Sequence, residues 1–254
     1  MLALLLAACA AACAASASAP ATVHPTVAVH HHRRQKQRRE RQARRRRRER
    51  QRRAVHRRGP RSRPAGPRWT VRQARRALPT LRVRSAGSLA GYSRTRFGPD
   101  WADVNHNGCD TRNDILNRDL VRKTWEDASD CEVRTAILHD PYTGRTIHFR
   151  RGVETSLAVQ IDHMVALANA WETGARRWSP ARREAFANDP RELIAVYGPA
   201  NEAKGDDDAS EWLPSRRAFD CQYVADQVMI KHAYALWVTP AEGVAMANVL
   251  ARCR

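Results

Sequence analysis

After its N-terminal segment the chain has no apolar run of the roughly 20 residues that a membrane-spanning helix requires, so such a helix is excluded there. None of its cysteines stands in a CxxC pair, which argues against a zinc knuckle. Between Arg33 and Arg68 acidic and apolar side chains are almost missing: 19 Lys/Arg stand against 2 Glu, a net +17. Like charges at that density repel and there is little to bury, so the stretch is expected to be disordered rather than part of a core. From Trp69 on, 26 basic residues face 24 acidic ones, and the pI of 11.0 therefore describes an arm, not a domain. One more absence matters. Asp103, Asn105 and Asn107 alternate as in a calcium loop, but the bidentate glutamate of its twelfth position is missing, which argues against that reading.

What is present divides the 254 residues into three parts. Residues 1–20, beginning MLALLLAACAAACA, have the hydrophobic and small-residue regions of an export signal, although without the usual basic start. Leu6-Ala7-Ala8-Cys9 also resembles a lipoprotein cleavage box, in which case Cys9 carries a lipid anchor at the cell surface. Residues 21–68 form the arginine-rich linker, readable as a salt-sensitive arm for nucleic acid or other polyanions, or as a plain solvated spacer. Residues 69–254 have the composition and length of one globular domain.

In that domain Val71 to Val83 reads as an amphipathic helix broken at Pro79, and Asp110 as the cap of a helix reaching Leu120. Val133 to Leu138 and Arg145 to Arg150 are β-rich runs around the turn residues Asp140 to Gly144, a hairpin with Ile147 and Phe149 inward and His148, Arg150 and Arg151 outward. Arg217 to Trp237 shows a helical stripe, and Thr239-Pro-Ala-Glu242 opens a last helix with a capping box. Cys109, Cys131, Cys221 and Cys253 suggest two disulfides in an exported domain. Three connectivities are open; the sequence-local pairs Cys109–Cys131 and Cys221–Cys253 are preferred, the second tying the last turn to the preceding helix.

The chemistry is concentrated between Leu157 and Pro214. An apolar run, Leu157 to Ile161, delivers Asp162 and His163 as a strand; Ser179-Pro180 opens a short helix; Leu193 to Val196 is a second strand; and Gly198-Pro199 leads into a helix bearing Asn201 and Lys204. A hard divalent cation takes a carboxylate and an amide oxygen and keeps several waters. An imidazole beside it can deprotonate the attacking water, and a lysine can hold a phosphate as a point charge. The acids Asp206 to Asp208 and the tryptophans Trp171, Trp178 and Trp212 are read as surface and core residues.

These motifs, IDHMVAL, PRELIAV, NEAKGDDD and WLP, with looser support from GYSRTRFGPDWADVNHNGCDTRNDIL and DPYTGRTIHFRRG, resemble the HNH nucleases of the His-Me finger (ββα-metal) superfamily, in particular their exported bacterial branch. The resemblance implies an α+β fold: a ββα-metal core with added helices and a β-hairpin, braced by disulfides. It implies Asp162 and Asn201 as ligands of one divalent ion, Mg²⁺ or Mn²⁺, and His163 as general base. The family's middle asparagine, which orients the histidine, falls on Glu192, with Asn188 in reserve. Lys204, Arg150 and Arg151 are expected to meet substrate phosphates. Two functions follow: a metal-dependent endonuclease cleaving DNA or RNA, or an exported polyanion-binding protein on a degenerate ββα scaffold. Neither calls for a stable protein partner.

Overall fold

Thr70 opens the first helix of the domain with a capping box: its hydroxyl accepts from the Gln73 amide while the Gln73 side chain accepts from the Thr70 amide. This is a computed structural model, describing Gln42, residues 69–153 and residues 155–254; the expected export signal, Cys9 and the arginine arm lie outside the described residues. Helix α1 (Val71–Ala77) passes at Pro79 into a 3-10 turn (Leu78–Thr80), as the sequence predicts. After a second 3-10 turn (Arg94–Phe97), Asp110 caps α2 (Thr111–Asp119) by accepting from the Asn113 amide at 2.7 Å.

Strands β1 (Val121–Trp125), β2 (Val133–His139) and β3 (Thr146–Arg150) form an antiparallel sheet in that order. The hairpin of β2 and β3 is the expected one, with Phe149 buried and His148 and Arg150 exposed; β1 is an addition. The hairpin's turn is fixed from within, because Asp140 accepts from the Thr143 amide through one carboxylate oxygen. Its other oxygen accepts from Tyr197 N at 2.9 Å, which fastens the turn to the second sheet and drives Tyr142 into the core.

That second sheet is the antiparallel pair β4 (Val159–His163) and β5 (Leu193–Tyr197), with Asp162 opposite Ile194 and His163 opposite Leu193. Between the strands run α3 (Leu167–Glu172) and α4 (Pro180–Ala187), the latter capped by Ser179. Directly after β5 comes α5 (Gly198–Lys204), so the strand-strand-helix order read from the sequence holds. Gly198 is required at that junction: a Cβ there would sit 2.1 Å from the Leu157 carbonyl oxygen.

Both faces of the β4–β5 pair are covered, which explains why its strands read as nearly continuous apolar runs. Ile194 and Val196 pack on α6 (Asp220–Tyr234), α7 (Pro240–Arg252) and Tyr142, while Val159, Ile161, Leu193 and Ala195 pack on α2 and the three-stranded sheet. A third, aromatic cluster joins Phe97, Trp171 and Phe186. Two disulfides, Cys109–Cys131 and Cys221–Cys253, close loops with sequence separations of 22 and 32 residues, each worth about 3–4 kcal/mol in the chain-entropy account. Arg75 donates to the carbonyls of Leu250 (2.6 Å) and Cys253 (2.5 Å) and so caps the end of α7 from α1.

Candidate active site

Alternation along β4 sends Asp162 and His163 to opposite faces. Asp162 turns toward α5. Its Oδ1 accepts from Lys204 Nζ at 2.9 Å, its Oδ2 accepts from the Tyr142 hydroxyl, and Lys204 Nζ also donates to the His163 carbonyl at 2.8 Å. Burial and the adjoining Asp162 carboxylate raise the Tyr142 pKa well above the ordinary phenol value, so it remains a donor. On the same face Asn201 Nδ2 donates to Gln160 Oε1 at 2.8 Å, and Gln160 Nε2 donates to Glu202 at 2.8 Å. Three of the expected residues, Asp162, Asn201 and Lys204, therefore share one side of the ββα unit.

Lys204 departs from its expected role. It is 1 % exposed and neutralised by Asp162, so it is an internal counter-ion rather than an open point charge for phosphate. Arg150 is exposed at the end of β3, but Arg151 turns back into its own sheet, donating to Val133 O at 2.9 Å and Asn113 Oδ1 at 2.6 Å.

His163 occupies the other face. Its Nε2 lies 2.9 Å from the Ala187 carbonyl oxygen. A carbonyl can only accept, so the ring's proton is on Nε2 and Nδ1 is left as the acceptor. Burial, against the pull of the Ala187 bond, moves the pKa from 6.5 down to about 3, and the ring is neutral near pH 7. Trp101, in a left-handed backbone conformation (φ 55°), lies over the imidazole with ring centroids 6.0 Å apart and planes 14° apart. Beside them is a cavity of about 20 Å³, bounded by Arg94, Phe97, Asp100, Trp101, His163 and Asn188 among others. That is room for one water.

Neither expected orienting residue hydrogen-bonds the ring. Glu192 is fully buried; its Oε1 accepts from Val165 N at 2.9 Å and its Oε2 has no partner among the described residues. Burial raises its pKa well above the carboxylate range, and its bond to Val165 N pins the chain just past β4. Asn188 accepts from Ala102 N at 3.1 Å and donates to Glu184 O at 3.0 Å, which steadies the loop carrying Trp101. The ring is oriented by a backbone carbonyl, for which no side chain gives a signal. Trp101 and Tyr142 lie in the GPDWAD and DPYTG stretches, yet their contacts depend on tertiary packing.

Among the described residues no three or more of His, Cys, Asp and Glu are gathered as for a metal ion. The loop from Asp103 is satisfied internally: Asp103 accepts from the Asn107 and Gly108 amides, and Asp114 from the Asn105 and Asn107 side chains. Asp206 is exposed, but Asp208 is buried and holds Ser210, while Trp171 is buried and Trp212 packs on Tyr142 and Tyr223.

Residues 110–249 match the family described as GmrSD restriction endonucleases, C-terminal domain. An uncharacterized secreted protein of Arthroderma benhamiae is 35% identical over 182 residues, covering 71% of this chain and 84% of its own length. No solved structure matches.

Proposed function

Because the chain belongs to the family of the GmrSD restriction endonuclease C-terminal domain, we propose that it is an exported, metal-dependent endonuclease that hydrolyses phosphodiester bonds in DNA or RNA, with His163 as general base. The observation that carries this reading is the state of the His163 ring. Its Nε2–H is committed to Ala187, Nδ1 is left to accept a proton, and His163 lines a water-sized cavity. A water there attacks phosphorus and gives its proton to Nδ1, while the bond to the leaving sugar oxygen breaks. The ring, neutral and covered on one face by Trp101, needs no reorientation for this step.

The donors on the other face fit a hard divalent ion. Each oxygen of the Asp162 carboxylate accepts one hydrogen bond and keeps capacity for another, and Asn201 commits its amide nitrogen to Gln160, leaving its oxygen. Asp162 and Asn201 would hold Mg²⁺ or Mn²⁺, which when bound supplies positive charge to the phosphate oxygens. Lys204 shares Asp162, so affinity in the absence of substrate is expected to be weak. Export is supported by the disulfides, the apolar N-terminal segment and the secreted relative, whether the product is released or anchored through Cys9.

The test is cleavage of supercoiled plasmid, single-stranded DNA and RNA with Mg²⁺, with and without chelator, by the full chain and its His163→Ala variant. Chelator-sensitive cleavage that disappears in the variant is expected. Tight binding without any cleavage would leave a polyanion-binding protein instead.

A further inference from the structure

Negative charge grows on the non-bridging oxygens during phosphodiester hydrolysis, and a cationic side chain can offset it beside a metal ion; the lysine expected to do so is enclosed. The same holds for most arginines around the site. Arg183 is spent on the carbonyls of Arg96 and Trp178, Arg118 on Asp119, and Arg151 on Asn113 and Val133. Arg94 differs. It is exposed, it borders the cavity beside His163, and among the described residues its guanidinium has no hydrogen-bond or ion-pair partner.

We infer that Arg94 receives the scissile phosphate beside His163, an assignment that rests on the nuclease reading above. Its backbone is held for that purpose. The turn Arg94–Phe97 is anchored by Phe97, buried between Trp171 (6.3 Å) and Phe186 (6.2 Å), and by Arg183 Nε, which donates to Arg96 O at 2.7 Å. At Gly98, which ends the turn with φ 93°, a Cβ would meet Glu184 at 2.9 Å, so the segment lies directly against α4. A rigid base for an exposed guanidinium is what a preorganised phosphate contact requires. The planar fork can pair with two phosphate oxygens, whose charge grows as the water adds and the leaving oxygen departs. Asp100, on the same rim, opposes phosphate approach and narrows attraction to the Arg94 side.

The experiment is steady-state cleavage of a fluorogenic oligonucleotide by the full chain and by Arg94→Ala, Arg94→Lys and His163→Ala. Arg94→Ala should keep the wild-type melting temperature, lose about 10²–10³-fold in kcat, and regain part of it when guanidinium ion is added. Arg94→Lys should fall between, since it restores charge without the fork. Wild-type kcat in Arg94→Ala alongside an inactive His163→Ala would overturn this inference and leave the nuclease reading intact. An Arg94→Ala loss that neither lysine nor guanidinium relieves would also overturn it, pointing to a structural role. If the wild type cleaves nothing, the underlying reading fails and takes this one with it.

Discussion

Lys204 Nζ stands 2.9 Å from Asp162 Oδ1, a fully enclosed ion pair whose carboxylate is held from its other side by Tyr142. It locks the end of α5 to the end of β4, and it neutralises the carboxylate expected to meet a cation.

Breaking such a pair leaves an uncompensated buried charge, so Lys204→Met should cost about 3–5 kcal/mol of stability. A divalent cation can replace the lost ammonium at Asp162. Thermal unfolding with and without Mg²⁺ checks this: the variant's Tm should rise with Mg²⁺ more than the wild type's does. Equal shifts in the two proteins would mean that the ion does not reach Asp162.

Acid stability follows from His163. Its folded pKa of about 3 lies below the ordinary 6.5, so between those values the unfolded chain binds a proton that the native chain refuses. Its contribution is full above about pH 6.5 and is lost as the pH falls toward 3, with a slope of up to about 1.4 kcal/mol per pH unit. Denaturant titrations across this range should show a shallower slope for His163→Gln than for wild type. The acid limb of kcat should likewise lie well below 6.5.

Glu192 gives the opposite sign. Its folded pKa is raised, so above the ordinary carboxylate value the unfolded chain ionises while the native one stays protonated, and stability falls as pH rises. Glu192→Gln keeps an acceptor for Val165 N and removes that penalty. The variant should gain stability over wild type as pH rises from 5 to 8, and should retain cleavage, because Ala187 rather than Glu192 holds the His163 ring. A large activity loss with unchanged stability would restore Glu192 to the orienting role.

The arginine arm is expected to be separable from catalysis. With +17 between Arg33 and Arg68 against +2 in the remainder, a chain shortened to begin at Trp69 should still cleave. It should bind DNA more weakly, with a shallower loss of affinity as salt rises, since each phosphate contact adds about 0.9 to the log–log slope. Identical salt slopes for the two chains would reduce the arm to a spacer.

Much of this architecture was legible because its signals are local. Asp110, Ser179-Pro180 and Thr239 with Glu242 mark helix starts through side chains that bond their own backbone, and each cap is found where it was expected. Strand β1 was missed because most of its residues are exposed or half-buried and only its pairing with β2 defines it. In the site, Asp162, His163, Asn201 and Lys204 could be named from chemistry and spacing. Their division between two faces could not, because it depends on partners far along the chain: Tyr142 reaching Asp162, the Ala187 carbonyl meeting the imidazole, and Trp101 covering it. Lys204 was misread because sequence gives its charge but not its burial.

The contact between Arg75 and the last turn of α7 has a topological consequence. With Arg75 bonded to Leu250 and Cys253, and Cys253 joined to Cys221, the first helix and the final residues of the domain are neighbours. The described domain thus begins and ends at one place. Opening it at the exposed Val153 and joining Arg254 to Trp69 through a short linker would move both ends of the domain to the segment after β3 while cutting no strand, helix or cystine.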